Sequence, residues 1–172
     1  DLDENDFECN RMLCFAYLTQ HKYDRAEEYG KRAFDLNPND PRVISVFGEA
    51  LLRLNDIDKG LEYLEKAYEL DPIPQGQTTS DRRLAALFLG YFLKNDFMHC
   101  QKLNEDIVNI DIRTWLLNSF MCHKKKINYQ EDSWFKAGVN QYQNSDWDME
   151  VDRFHLNDDS LKTRLIDFAK TI

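Results

Sequence analysis

A six-residue phrase is repeated thirty-four residues apart: "AFDLNP" from Ala33 to Pro38 and "AYELDP" from Ala67 to Pro72. Self-similarity at a fixed period of this length is the mark of an array of small supersecondary units, none of which buries its apolar face alone. Superposing the two stretches at that offset pairs Leu13 with Phe47, Tyr17 with Leu51 and Leu36 with Leu70. It also pairs Cys14 with Gly48, Ala26 with Gly60 and Ala33 with Ala67. Large residues thus recur at helical spacing, and small ones recur where two helices must approach closely.

The prolines explain the punctuation. Pro38 and Pro72 disfavour helical geometry in the residue before them, so each ends a helix. Asp40 supplies an N-cap, and Pro41 takes the first helical position, where its missing N–H costs nothing. A link this short between two helices forces an antiparallel hairpin. The expected units are helix, turn, helix, over 7–20 with 24–36 and 41–54 with 58–70.

Further on, the pattern stretches. "IPQGQTTS" reads as an inserted loop, and "NDFMHC" from Asn95 echoes "NDIDKG" from Asn55 at a separation of forty. A third pair is expected over about 81–112, and a degenerate fourth over 113–143, in "IRTWLLNSFMCHKKKI" and "EDSWFKAGVNQYQ". The remainder, 144–172, reads as a linker and a capping helix. Leu161, Leu165, Phe168 and Ile172 form its apolar stripe, with Asn157 or Asp158 as its cap. The chain begins in an acidic run without a Met, which points to a piece of a longer protein.

This pattern resembles the tetratricopeptide repeat family, whose unit carries small residues at its eighth, twentieth and twenty-seventh positions and a proline near its thirty-second. Here those are Cys14, Ala26, Ala33 and Pro38, then Gly48, Gly60, Ala67 and Pro72. The departures are Asn10, where the family usually has a large aromatic, and Gly30, where a bulky residue is common; they predict a loosely packed outer edge for the first unit. The implied fold is all-α, a right-handed solenoid of antiparallel helix pairs closed by a C-terminal capping helix. On softer motifs, the arrangement also resembles the C-terminal repeat region of bacterial adenylate and guanylate cyclases and of winged-helix transcriptional regulators. In that reading the activity lies upstream of Asp1.

The resemblance implies a non-enzymatic interaction or regulatory module whose first helices line a concave groove. Carried over position by position, the first unit offers Arg11 and Phe15, and the second offers Arg42, Ser45, Glu49 and Arg53. The third offers Arg82, Leu89 and Phe92. Arginines beside apolar contacts suit a peptide, a partner helix or a neighbouring domain with acidic and apolar side chains. The family's clamp for chaperone C-terminal carboxylates needs two asparagines, where this chain has Phe15 and Val46, so that partner is not expected.

Other chemistries find little support. The six glycines are isolated and form no phosphate-cradling loop. His99 beside Cys100 and Cys122 beside His123 point about 100° apart on a helix and do not share an ion, so neither a metal nor another cofactor is expected. A formal charge of -9 argues against direct nucleic acid binding, and the one basic run, "HKKKI" from His123, reads as a solvated helix end. No run of residues is apolar enough for a membrane span. Four scattered cysteines read as reduced core residues, and a cytoplasmic location is expected; association of copies stays open. Trp115, Trp134, Phe135, Tyr142 and Trp147 concentrate in the last third, as core or as a docking surface.

Overall fold

The computed structural model describes residues 5–172, and every regular element among them is a helix. Four antiparallel pairs follow one another: α1 (Phe7–Thr19) with α2 (Tyr23–Leu36), α3 (Pro41–Arg53) with α4 (Ile57–Leu70), α5 (Asp81–Leu93) with α6 (Phe97–Asp106), and α7 (Ile112–Lys124) with α8 (Ser133–Tyr142). A short α9 (Trp147–Asp152), which the sequence pattern did not announce, precedes α10 (Asp159–Ala169). Each first helix packs on its own partner and on the neighbouring pairs, as in a solenoid.

Backbone chemistry fixes the boundaries. Aspartate side chains cap α1, α3, α6, α7, α9 and α10, each accepting a hydrogen bond from an N–H of the first turn. The cap of α10 is Asp158, which accepts from the Leu161 N–H at 2.9 Å. Asn37 and Asp71 end α2 and α4 with nearly the same non-helical geometry, φ -145° and -152°, because each precedes a proline.

The turn inside each pair is one device used four times. His21, Asn55, Asn95 and Lys126 sit just past the first helix with φ of 59°, 67°, 59° and 57°. In every case the next residue's N–H reaches back to the carbonyl five before it: Lys22 to Tyr17, Asp56 to Leu51, Asp96 to Tyr91 and Ile127 to Cys122. This is a Schellman closure, which satisfies carbonyls that the helix end leaves open. Asparagine tolerates the left-handed conformation well, which is why "ND" recurs at two of the four turns.

Between helices, the small residues allow close approach. A Cβ on Gly60 would lie 2.7 Å from Leu52 Cδ2 and 2.9 Å from the Gly48 carbonyl oxygen, so α3 and α4 cross backbone to backbone. The first unit is not loose at Gly30: the Phe47 ring fills the space above it and joins Phe34 and Tyr63 with ring centroids 5.1–5.8 Å apart. Asn10 is buried and donates from Nδ2 to the Asp6 carbonyl at 2.8 Å.

The inserted loop is pinned by Arg83, which is buried and donates from Nε and Nη2 to the carbonyl and carboxylate oxygens of Asp71. In the last third the aromatics are mainly core. Trp115, Phe135 and Trp147 are buried, and the Trp115 ring stacks on the other two. Leu161, Leu165 and Phe168 of α10 are buried as the stripe predicts, while Ile172 lies beyond the helix end and is 37% exposed.

Candidate functional site

The residues expected to line a groove lie on the first helix of each pair, α1, α3 and α5. On α1, Asn10, Cys14 and Leu18 recur every four residues and are buried. The opposite face carries Met12 and Phe15, which stay 51% and 47% exposed. Large apolar side chains left in water on a helix whose other face is packed form a surface able to receive something.

Two of the groove arginines are near one another and already engaged. Arg11 donates to Glu8 from Nε at 2.9 Å and from Nη2 at 2.6 Å, and that hydrogen bond holds the Glu8 carboxyl below its usual range. Arg42 folds back on its own cap, Asp40, at 2.7 Å and approaches Glu8 at 3.6 Å. These pairs lie at the surface with one partner half-buried, and surface pairs contribute little, about 0–1 kcal/mol each. Ser45 and Glu49, half-buried on α3, continue the stripe that Arg42 begins.

Arg53 ends that stripe, and here the expectation of an open groove fails. The same helical face that is exposed at Arg42 is 3% exposed at Arg53. On α5, Arg82 is exposed, but Leu89 and Phe92 further along its face are 1% and 8% exposed. The cause is the C-terminal segment. Leu156, Leu161 and Leu165 are buried in the apolar cluster that holds Leu89 and Phe92. Leu156 and Leu161 also share the walls of a cavity with Leu52, Arg53 and Leu93. The chain therefore covers the far half of its own inner face, and Arg53, Leu89 and Phe92 are not open contact residues. Arg82 stands apart from Arg11 and Arg42, beside Thr78, Asn109 and Arg113 at the rim of a separate cavity.

The covering segment is held by a ring of three polar groups that the groove register did not contain. Tyr23 Oη donates to the His155 carbonyl at 3.1 Å and lies 3.2 Å from His21 Nδ1, while His155 Nδ1 lies 3.2 Å from His21 Nε2. All three contacts are satisfied together when both imidazoles carry their proton on Nδ1. Burial, together with the positive charge of Arg53, pushes the His155 imidazole below its usual range. No local pattern marks these residues as partners; "His" at position 21 and "His" at position 155 meet only through the fold.

Thiol chemistry is not poised at this surface. Burial pushes Cys14 and Cys100 up to about 12 and Cys122 to about 11, far from the thiolate form. Among the described residues no three His, Cys, Asp or Glu side chains gather as a metal ion would need, and no helix is long and apolar enough to cross a membrane. The lysines of the basic run lie over rings, Lys124 at 5.6 Å from the Phe120 centroid and Lys125 at 5.9 Å from that of Phe97.

Comparison with known proteins agrees with the helical pattern. Residues 17–76 match the tetratricopeptide repeat family. Protein O-mannosyl-transferase TMTC1 is 36% identical over 69 residues in Homo sapiens and 38% identical over 69 residues in Mus musculus, which is 38% of this chain in both cases. Anaphase-promoting complex subunit CDC16 of Saccharomyces cerevisiae is 33% identical over 70 residues, 40% of this chain. The matched segment spans only 7–8% of the length of these relatives, so what is shared is the repeat. Residues 17–76 thus carry the tetratricopeptide repeat pattern, and the four helix pairs α1–α8 are arranged as that repeat arranges them.

Proposed function

We propose that this chain is a non-catalytic protein-interaction module that holds a short peptide or helix of a protein partner against the open inner stripe of α1 and α3. One observation carries the reading: Met12 and Phe15 lie exposed on that stripe, while Arg53, Leu89 and Phe92 in the far half of the inner face are covered from within. Arg11 and Arg42 flank the pair, and Ser45 and Glu49 add polar contacts, so the favoured ligand has an apolar anchor next to a carboxylate. The array divides at about 7–40, 41–74, 81–112 and 113–143, and 144–172 serves as cover as well as cap. The location we assign is the cytoplasm.

A displayed peptide library selected against the wild-type chain tests this. Selected peptides are expected to carry an aromatic or aliphatic residue within a turn of Asp or Glu, and to bind a Phe15→Asp variant at least about tenfold more weakly, the loss of one well-packed anchor. Peptides that bind both proteins equally would move the surface elsewhere.

A further inference from the structure

We propose that Arg53 is the floor of a second binding site, built where the C-terminal segment crosses the inner face, that takes one compact oxyanion, a carboxylate or a phosphate. The site is separate from the Met12 and Phe15 stripe and does not depend on what binds there.

Among the described residues two arginines are buried, and they differ sharply in their partners. Arg83 is 6% exposed and spends its Nε and Nη2 on Asp71. Arg53 is 3% exposed, yet its Nε and Nη1 are buried with no acceptor in reach. Glu49, one turn earlier on the same helix, is the acidic group whose charge acts on it, without closing to an ion pair. A guanidinium keeps its proton when buried, so the charge stays even though burial pushes its pKa down to about 10. An unpaired ion inside a protein is costly, and its donors form a planar fork matched to carboxylate or phosphate oxygens.

The surroundings fit a small anion. Arg53 borders a cavity of about 360 Å³, whose apolar walls are Leu52, Leu93, Leu156 and Leu161. The cavity is partly open, with Asn55 and Asn157 beside the leucines, and its apolar side strengthens a charge-assisted hydrogen bond made against it. Arg113 adds positive charge near the guanidinium. The acids at the cavity are occupied elsewhere: Asp158 caps α10 through the Leu161 N–H, and Asp159 pairs with Lys162 at 3.1 Å. Their charge at the rim opposes any anion and a large polyanion most, so only a compact group suits the buried fork.

The test is thermal melting of the full chain at fixed ionic strength, with chloride replaced stepwise by inorganic phosphate in one arm and by acetate in the other. In at least one arm the wild-type midpoint is expected to rise by roughly 3–5 °C per tenfold increase in anion beyond half-saturation. The Arg53→Met variant, of similar shape and uncharged, is expected to melt higher than wild type in chloride and to show no such rise. The arm that responds names the chemistry. An equal rise in both proteins, or none in wild type, overturns the proposal. If Arg53→Met does not fold, the Arg53 Nε–H resonance of the wild type decides: a shift with phosphate or acetate but not with chloride supports the site, and an unmoved resonance overturns it. A resonance displaced by Asp159→Asn in plain chloride would also overturn it, because Asp159 would then be the partner.

Discussion

Tyr23 donates a hydrogen bond to the backbone carbonyl of His155, 132 residues further along the chain, at 3.1 Å. The start of α2 and the approach to α10 are thereby joined at a point where the first helices end. Replacing Tyr23 with Phe keeps the ring and removes the donor, which is expected to cost about 1 kcal/mol, a typical single hydrogen bond. Urea unfolding should give that loss, and amide exchange should quicken at 154–158 more than in α4. Unchanged exchange there would mean that packing alone holds the segment.

The same ring gives a pH dependence of known sign. His155 has its folded pKa lowered from 6.5 by burial and by the Arg53 charge, with His21 and Arg113 adding to the effect and Asp152 opposing it. The unfolded chain therefore binds the proton more readily than the folded one. The stability this contributes is full above the ordinary histidine value and is lost as pH falls through the lower folded value. The thermal midpoint of wild type should drop between pH 7 and pH 5 more steeply than that of His155→Asn, asparagine being chosen because residue 155 has φ 54°. Parallel curves for the two proteins would count against the assignment.

At the crossing of α3 and α4, Gly60→Ala places a methyl group 2.9 Å from a backbone carbonyl oxygen that has nowhere to move. Overpacking of this kind costs about 1–3 kcal/mol. Chemical denaturation of the variant should show a lower midpoint at unchanged slope; Gly48→Leu should behave likewise, since its Cβ would meet the Gly60 oxygen at 3.0 Å.

The turn residue Lys126 offers the opposite sign. Its φ of 57° suits glycine, and relief of the left-handed strain outweighs the added freedom of the unfolded chain. Lys126→Gly should stabilise by about 0.5–1 kcal/mol. Asn55→Gly, at the equivalent turn, should gain less, because asparagine already tolerates that geometry.

Ending the chain after Asn157 removes α10 and uncovers the Phe120 ring, whose centroid lies 5.5 Å from that of Phe168. Leu161, Leu165 and Phe168 each contribute about 1.5–3 kcal/mol by burial, so a large fall in melting midpoint is expected. Light scattering should also detect self-association through the newly exposed patch. A monomer with the wild-type midpoint would show that α10 is dispensable.

What could be read in advance divides along the range of the interactions. Helix ends depend on neighbours in sequence, and Pro38, Asp40, Pro41 and Pro72 announce them. The "ND" echo between Asn55 and Asn95 even marks the turns, because αL geometry selects asparagine locally. Arg53, Leu89 and Phe92 were misread as open for a different reason. Their helical register puts them on the inner face, but their exposure depends on a segment that returns from over sixty residues away, and no period in the sequence records that return. The His21 and Tyr23 contacts with residue 155 were missed on the same ground.

The returning segment also changes what kind of mechanical object the array is. A stack of helical pairs touching only its neighbours behaves as an open spring, free to widen or tighten its curvature and to fray from either end. Here the spring is clipped: Tyr23 in the first pair and Leu156 against the second and third hold the ends of the first helices at a set distance. Flexing the curve requires the clip to slide or let go, and pulling on the first pair loads the last helix directly.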